Sequence, residues 1–262
     1  MEHTSTPPAT EIEGRVARTT VTTFRIVEAL EGRDAVGVTE LAEELSLGKG
    51  TVHKHLTTLR ELDCVVREDG QYRLGLRFLG IGSSVRARTD LYEVSAELLE
   101  NLASATGEVV SIMVPENGRG VYLTRVTEES GPPLGLQEGD RVPLPATAGG
   151  KAILAYLPEE RRERVLDEHG LPELTDNTIT DRDALSAELQ DVHDRHLAHD
   201  RGEFEADRHC VAAPIVAPGD DNAIGAVTVS GPAERMSEKA ASTDFPSIVS
   251  STAYGIENRL ER

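Results

Sequence analysis

The apolar residues between positions 38 and 62 recur at helical spacing in two segments, with a short break at 47–48 between them. The first segment carries Leu41, Ala42 and Leu45. Thr39 stands where a side chain can cap the start of this helix, and Gly48 allows a tight turn after it. Two short helices joined by such a turn predict a helix-turn-helix.

The second helix is predicted to begin near Lys49 and to carry two different faces. With roughly 100° of rotation per residue, the apolar stripe consists of Val52, Leu56 and Leu59. The opposite side contains Gly50, Lys54, Thr57, Thr58 and Glu61, with Thr51, His53 and His55 on the flanks. Lys, Thr and His side chains can hydrogen-bond to base edges and phosphates, so this face is suited to reading DNA. A helical hairpin with a solvated polar face has the same periodicity and is the alternative.

A short hairpin is predicted directly after the second helix. Residues 65–67 and 72–74 have the composition of two strands, and the Glu-Asp-Gly sequence at 68–70 is typical of a turn. Upstream, a supporting helix is predicted to close the core with Val21, Phe24, Ile26, Val27 and Leu30. Together these elements make a winged helix-turn-helix.

The run LAEELSLGKGTVHKHLTTLRELDCVVREDGQYRLGLRFLGIG resembles the N-terminal domain of the IclR family of transcriptional regulators, and the similarity extends over nearly the whole chain from about Arg15. The resemblance implies a homodimer or homotetramer that binds a near-palindromic operator of double-stranded DNA. The candidate DNA-contacting residues are Thr39, Lys49, Gly50, Thr51, His53, Lys54, Thr57, Thr58 and Arg73. Two positions depart from the family pattern, because Gly50 replaces a Ser or Thr and His55 replaces an apolar residue.

The chain is predicted to have four parts. Residues 1–14, rich in Thr, Pro and Glu, are expected to form a disordered tail. Residues 15–75 form the winged helix-turn-helix domain, 76–90 a linker helix that dimerises the DNA-binding domains in the family, and 91–262 an effector-binding and oligomerisation domain. A helix that packs against its own domain is the alternative for 76–90.

Strands and helices alternate in the second half of the chain. Strands are predicted at 109–114, 120–126, 210–216 and 223–230, and helices at 91–105, 148–156, 158–169, 182–199 and from about Ser237. This mixture predicts an α+β domain. The segments PLPATAGGKAILAYL, LAHDRGEFEADRHCVAAPI and IGAVTVSGP resemble the effector-binding domain of the IclR family, which is a GAF-like mixed α/β fold.

In the family, this domain binds a small organic acid or an aromatic compound in one pocket. The matching positions are Ala148, Gly149, Asp200, Cys210, Thr228 and Ser230. Backbone N–H groups at a helix start and hydroxyl groups suit a carboxylate, so a small anionic effector is expected. Asp200 would repel it unless the carboxyl turns away, is protonated or meets a hydroxyl; it can instead cap backbone groups. An ordinary helix start at Ala148 is the alternative.

The departures from the family pattern here are Pro145 in place of His, and His196 and Asp207 in place of Gly.

The 262 residues carry a net charge of −19, with 46 acidic residues and only four lysines among 27 basic ones. Such acidity generally opposes nucleic-acid binding. Its distribution is uneven, however, because residues 15–77 hold 10 basic and 10 acidic residues, whereas 78–262 hold 17 basic and 33 acidic. The acidic, lysine-poor composition predicts a halophilic host, for which we expect an archaeon.

Cysteine content and hydropathy indicate where the protein acts. Cys64 and Cys210 lie in different predicted domains, which leaves neither a disulfide framework nor a Cys-rich zinc site. No apolar run of about 18 residues and no signal peptide occur. We therefore expect a cytoplasmic protein with no membrane partner and no cofactor.

Two other classes of function have a basis in the sequence. A nucleophilic enzyme would use Cys210, but the adjacent His209 would point to the opposite face of a strand, and no nucleophile elbow or phosphate loop occurs. No catalytic residue is therefore predicted. A metal sensor would use His193, His196, His199 and His209. On a helix, the first and third of these point about 120° apart, which leaves at most a pair such as His196 with Asp200.

Overall fold

The computed structural model describes residues 15–127, 135–240 and 244–261, so the tail predicted at 1–14 lies outside the described residues. The chain divides between Arg88 and Thr89 into two compact units. The first unit contains α1 (Arg18–Ala29), β1 (Val36–Gly37), α2 (Val38–Glu44), α3 (Lys49–Glu61), β2 (Val65–Glu68), β3 (Gln71–Leu74) and α4 (Arg77–Arg86).

The first unit is a winged helix-turn-helix, as predicted. Helices α1, α2 and α3 and the small sheet enclose one apolar core, which includes Ile26, Leu30, Leu41, Val65 and Tyr72. The predicted stripe of α3 is confirmed, because Val52, Leu56 and Leu59 are all buried. The antiparallel hairpin of β2 and β3 forms the wing, and the two-residue strand β1 pairs with β3.

Two expectations for this unit were wrong. Helix α2 begins one residue before Thr39, and its N-cap residue is Gly37, so Thr39 does not cap it and is instead an exposed residue of the first turn. Phe24 is 53% exposed and lies outside the core. The core face of α1 is formed by Ile26 and Ala29, and Phe24 lies on the outer side of the helix.

The second unit begins with α5 (Asp90–Thr106), which ends at Gly107 in the left-handed conformation that glycine adopts readily. Its other elements are β4 (Val109–Glu116), β5 (Arg119–Val126), β6 (Arg141–Pro143), α6 (Ala148–Leu154), α7 (Glu159–His169), α8 (Arg182–Arg195), β7 (Ala198–Arg201), β8 (Arg208–Val216), β9 (Ala223–Pro232), α9 (Ala233–Ala240) and α10 (Asp244–Leu260).

A six-stranded antiparallel sheet, in the order β6-β5-β4-β9-β8-β7, is the centre of this unit. Alternating strand residues point to opposite faces, so the sheet supports two separate cores. One core packs α5 and α10 against side chains such as Val110 and Val229. The other packs α6, α7 and α8 against side chains such as Met113 and Ala226. The α+β prediction is confirmed.

Two helix predictions in this unit had wrong bounds. The helix predicted to reach His199 ends at Arg195, because His196 adopts a left-handed conformation with φ of 55° and the chain then enters β7. The closing helix predicted from Ser237 consists of α9 and α10, and α9 already begins at Ala233. Across the described ranges, no helix is both long and apolar enough to span a bilayer.

Candidate functional site

Helix α3 presents a polar surface on the side that faces away from the core. The side chains of Lys49, Thr51, His53, Lys54 and Thr58 are exposed, as is Gly50, while Thr57 is half-buried. The hydroxyls of Thr57 and Thr58 donate to the carbonyl oxygens of His53 and Lys54, at 2.8 and 3.1 Å. Each hydroxyl therefore keeps acceptor capacity for a donor on DNA.

His55 lies between α3 and α1 rather than on the polar surface. Its Nδ1 atom is 2.8 Å from the Thr23 hydroxyl oxygen. Burial, and to a smaller extent the charge of Lys54, lower the pKa of His55. A neutral, half-buried ring in this place fills the position that an apolar residue occupies in the family pattern.

The remaining DNA candidates, Thr39 and Arg73, lie on α2 and on the wing. Thr39 is exposed. The Arg73 guanidinium is 2.9 Å from the Glu68 carboxylate across the hairpin, and both side chains are largely exposed. Because an exposed ion pair of this kind is weak, the guanidinium can be drawn to a phosphate.

Helix α4 contains no buried residue. Four of its apolar side chains are more than half exposed, namely Leu76 at its N-cap and Leu79, Ile81 and Val85 within it. Exposed apolar residues grouped on one short helix mark a surface that another protein surface can cover.

A cavity of about 40 Å³ lies in the second unit, on the sheet face that packs against α6. Five of the six sequence-predicted effector residues line it: Gly149, Asp200, Cys210, Thr228 and Ser230. Ala148 is fully buried at the start of α6 and is not among the lining residues. The strand register brings the others together, because Cys210 pairs with both Asp200 and Ser230.

The start of α6 closes one wall of the cavity. The Thr147 hydroxyl accepts a hydrogen bond from the Gly150 N–H at 3.1 Å and so caps the helix. A Cβ on Gly149 would lie 2.8 Å from Thr228 Cγ2, and one on Gly150 would lie 2.1 Å from the Leu144 carbonyl oxygen. The two glycines are therefore needed for the close approach of α6 to the sheet, whatever else this helix start contacts.

Asp200 combines two of the roles that the sequence left open. Its Oδ1 atom accepts hydrogen bonds from the N–H groups of Glu203 and Phe204, at 2.7 and 3.4 Å, so the side chain caps a turn. Burial raises the pKa of Asp200 to about 7. Near neutral pH the carboxyl is therefore protonated in a large fraction of molecules, which reduces its repulsion of an anion.

The thiol of Cys210 is unsuited to nucleophilic chemistry. Burial, followed by the nearby Asp200 carboxyl, raises the pKa of Cys210 to about 12, whereas a nucleophile needs its thiolate form. The neighbouring His209 ring is 3.2 Å from the hydroxyl of Ser237 on α9, away from the thiol. The side chain of Cys210 thus forms a neutral wall of the cavity.

Several lining residues were missed by the sequence analysis, above all Tyr122, Arg125 and Arg208. Tyr122 and Arg125 are three positions apart, yet both face the cavity because β5 contains a register shift opposite Ile112 and Met113. A bulge of this kind is not readable from residue alternation. Arg208 did have a signal, because it lies two residues before Cys210 on one strand and so shares its face.

A buried ion cluster joins α6 to the loop after β7. Lys151 is fully buried, and its Nζ atom is 2.6 Å from Glu203 and 3.1 Å from Glu188. Burial raises the pKa of Glu203. Lys151 lies two residues after Gly149 on α6, and Glu203 lies three residues after Asp200, in the loop that follows β7. The cluster therefore connects two walls of the cavity.

The histidines proposed for a metal sensor do not form one site. His193 stacks on Tyr156 and His196 lies tilted beside the same ring at the end of α8, whereas His199 is a half-buried residue of β7 and His209 lies on β8. The assumption that the first three share a helix was wrong. Among the residues that the structure describes, no group of three or more His, Cys, Asp or Glu side chains could hold a metal ion.

Comparison with known proteins identifies the family of this chain. The model of the bacterial transcriptional regulator IclR C-terminal domain matches residues 83–258, and that of the IclR helix-turn-helix domain matches residues 20–69. A probable HTH-type transcriptional regulator ArcR of Halobacterium salinarum is 33% identical over 255 residues, which cover 95% of this chain and 96% of that protein.

Two crystal structures share the fold. The Thermotoga maritima IclR structure has a TM-score of 0.76 and 28% identity, covering 93% of this chain and 99% of its own. An IclR homolog from Microbacterium hydrocarbonoxydans, complexed with 4-hydroxybenzoate, has a TM-score of 0.78 and 24% identity with the same coverage. The matched relatives are named as regulators of transcription and not as enzymes. The chain belongs to the IclR family of transcriptional regulators, DNA-binding proteins with a C-terminal effector domain.

Proposed function

We propose that this protein binds near-palindromic operators in double-stranded DNA as a homodimer or homotetramer, and that a small anionic metabolite modulates the binding. The observation that carries the proposal is the exposed Lys, Thr and His face of α3 within a domain that matches the IclR helix-turn-helix. The proposed location is the cytoplasm, because the operator DNA is there.

The DNA contacts are assigned to exposed groups of the first unit. Lys49, Gly50, Thr51, His53 and Lys54 lie in the first half of α3, which is the part that enters the major groove in helix-turn-helix proteins. Thr57 and Thr58 extend this face along α3, while Thr39 on α2 and Arg73 on the wing lie beside the same groove and its phosphates.

Dimer formation is assigned to α4. Its exposed Leu76, Leu79, Ile81 and Val85 would be covered by the same helix of a second copy, which is the simplest self-complementary contact. A dimer would place two α3 helices about one DNA turn, roughly 34 Å, apart and would require two half-sites of related sequence.

The effector is assigned to the cavity of the second unit. A carboxylate would lie against the Gly149 N–H at the start of α6 and accept hydrogen bonds from the hydroxyls of Thr228 and Ser230, while Ala148 forms the helix start behind it. Cys210 and the partly protonated Asp200 would complete the walls. The ligand changes DNA binding only if it binds one arrangement of the two units more tightly than another.

The host is proposed to be a halophilic archaeon. The excess of acidic residues and the scarcity of lysine support this, as does the similarity to the Halobacterium salinarum protein. In concentrated salt the release of counterions contributes little to DNA affinity, so hydrogen bonds to bases must provide more of it.

The test is binding of the purified protein, in molar KCl, to DNA fragments from upstream of its own gene and the neighbouring genes, against scrambled competitor. The double substitution Lys54→Ala with Thr51→Ala should weaken specific binding about 30-fold or more, because two base contacts are lost and each good one contributes roughly 1–3 kcal/mol. The control is Arg161→Ala, which removes one exposed charge from α7 and should leave affinity unchanged.

The circular dichroism and unfolding transition of the double variant should match those of the wild type, because both side chains are exposed. Equal affinity of the folded double variant and the wild type would move the DNA surface away from α3. Absence of specific retention by the wild type on all fragments would instead indicate a sensor that acts through a partner protein.

A further inference from the structure

Two arginine side chains line the effector cavity beside the hydroxyl groups of β9. Arg125 of β5 is 9% exposed, and its guanidinium carbon lies 4.2 Å from the centre of the Tyr122 ring. Arg208 of β8 has its Nη2 atom 3.5 Å from the Ser230 hydroxyl oxygen. Guanidinium groups bind carboxylates in a bidentate manner and are less strongly hydrated than ammonium groups, so they suit a partly buried anion.

The two guanidinium groups act electrostatically on the same two side chains, Glu205 and Cys210. Burial raises the pKa of Glu205 and of Cys210, and both guanidinium groups oppose the rise at each of these two side chains. Arg208 makes a long contact of 3.5 Å to Glu205 in addition to that with Ser230. A guanidinium has five N–H donors, and contacts of this length engage them only weakly. Arg208 can therefore donate hydrogen bonds to a further carboxylate.

A buried hydroxyl lies between the arginine side and the hydroxyl side of this region. Ser111 on β4 pairs in register with Arg125 on one neighbouring strand and with Thr228 on the other. It is fully buried, and its Oγ atom has no hydrogen-bond partner among the residues that the structure describes. Buried hydroxyls are nearly always hydrogen-bonded, so Ser111, which is not itself a lining residue, marks an unsatisfied polar position next to the cavity wall.

We propose that the effector carries two anionic groups, one against the Thr228 hydroxyl near the start of α6 and the other against the guanidinium groups of Arg208 and Arg125 beside Ser230. This inference rests on the effector function proposed above and names its ligand class: short dicarboxylates are preferred over monocarboxylates of the same chain length. The cavity of about 40 Å³ favours a short chain, since a single water needs about 10–15 Å³ of the same measure. Arg208 is then a specificity-determining residue.

The test compares malonate, succinate and glutarate with propionate, butyrate and valerate. Binding to the full-length protein is measured in molar KCl at pH 7.5 by isothermal titration calorimetry and by the shift of the thermal unfolding midpoint. At least one dicarboxylate should bind about tenfold or more tightly than its monocarboxylate counterpart, as expected for one added charge-assisted pair of hydrogen bonds.

Two variants separate the two ends of the ligand. Arg208→Gln, at a side chain that is 25% exposed, should fold normally and abolish the preference for dicarboxylates. Thr228→Val has nearly the same shape and should weaken mono- and dicarboxylates by the same factor, because it acts on the carboxylate that both classes share. Arg125→Gln should repeat the effect of Arg208→Gln if the variant folds.

The outcomes distinguish this inference from the function on which it rests. Equal binding of the two classes, or a dicarboxylate preference that survives in Arg208→Gln, would overturn the second anionic group while leaving a monoanionic effector in place. If no acid of the panel binds to protein that retains its operator, both the second group and the short-acid effector are rejected, and DNA binding stands.

Discussion

Two buried ion clusters, one on each face of the sheet in the second unit, use the same residue types for different purposes. The Glu108 cluster comprises Glu108, Arg235 and Lys239 and ties α9 to the start of β4. The Lys151 cluster comprises Lys151, Glu188 and Glu203 and lies beside the effector cavity. They differ in which charge is buried and in how completely it is paired.

In the Glu108 cluster the carboxylate is fully buried and both of its oxygens are hydrogen-bonded. Arg235 donates to both oxygens, at 2.5 and 2.8 Å, and Lys239 donates to Oε1 at 2.5 Å. These two cations lower the pKa of Glu108 against the opposing effect of burial. Both cations are partly exposed. The carboxylate is therefore the one buried charge of this cluster, and it is fully paired.

In the Lys151 cluster the cation is fully buried and paired with two carboxylates, but one of those carboxylates is incompletely paired. The Glu203 Oε2 atom is buried without a hydrogen-bond partner among the described residues, and burial raises the pKa of this carboxyl. Incompletely satisfied buried charges are costly. The difference indicates that the Glu108 cluster fastens a helix through a fully paired buried charge, whereas the Lys151 cluster joins two cavity walls and leaves one buried carboxylate oxygen without a partner among the described residues.

The largest effect is expected for Lys151→Met. Removing the cation leaves Glu203 buried without a counter-charge, which should reduce the free energy of unfolding by about 3–5 kcal/mol at pH 7.5. The reduction should be smaller at pH 5, where Glu203 can take up a proton. Denaturant unfolding of the variant in molar KCl at both pH values measures this.

The double variant Lys151→Met with Glu203→Leu is the matched control. It removes both charges together and should recover most of the lost stability, because no buried charge is left unpaired. If the single variant is as stable as the wild type, or the double variant is less stable than the single one, the Lys151 pairing does not have the role assigned here.

A smaller effect is expected for Glu108→Gln. The two cations that it releases can turn to solvent, so the loss at pH 7.5 should be about 1.5–3 kcal/mol. Because the folded protein lowers the pKa of Glu108, its stabilisation is present above the ordinary pKa of a glutamate and disappears as the pH falls through the lowered value. The wild type and the variant should therefore converge in acid, as followed by unfolding between pH 3 and 7.5.

Glu97→Gln provides the comparison for Glu108→Gln. Glu97 pairs with Arg259 at 2.7 Å, but its side chain is 70% exposed. Exposed pairs contribute less than about 1 kcal/mol, so this variant should unfold nearly as the wild type does. A loss as large as that of Glu108→Gln would mean that burial is not what distinguishes the Glu108 cluster.

The sequence was sufficient where structure depends on local periodicity. The stripe of Val52, Leu56 and Leu59 placed α3 correctly, and the helix predicted at 91–105 corresponds to α5. It was insufficient where structure depends on distant partners. The short strands β1 and β6 exist only as edges paired to longer strands, and β7 contains His199 and Asp200, which do not resemble a buried strand.

The candidate site shows the same division. The six effector positions came from family resemblance, and five of them line the cavity. The burial of Lys151 could not be read from its neighbours in the chain, because its partners are 37 and 52 residues away. Arg125 reaches the cavity only through the bulge in β5, and a bulge depends on the pairing of two strands.

An effect of opposite sign is expected for Asp200→Asn. Asp200 belongs to the cavity wall that the Lys151 cluster holds, and burial raises its pKa to about 7 from an ordinary value of 3.8. An acid whose pKa is raised by folding destabilises the protein as it ionises, so the wild type should lose stability between about pH 4 and 7. Asparagine keeps an oxygen for the N–H groups of Glu203 and Phe204 without ionising. The variant should match the wild type at pH 4 and exceed it at pH 8 by about 3–4 kcal/mol, since each unit of pKa shift corresponds to about 1.4 kcal/mol, as measured by denaturant unfolding across this range. The opposite pH dependences of Asp200 and Glu108 would then distinguish the cavity wall from the Glu108 cluster, and a variant that is less stable than the wild type at pH 8 would remove that distinction.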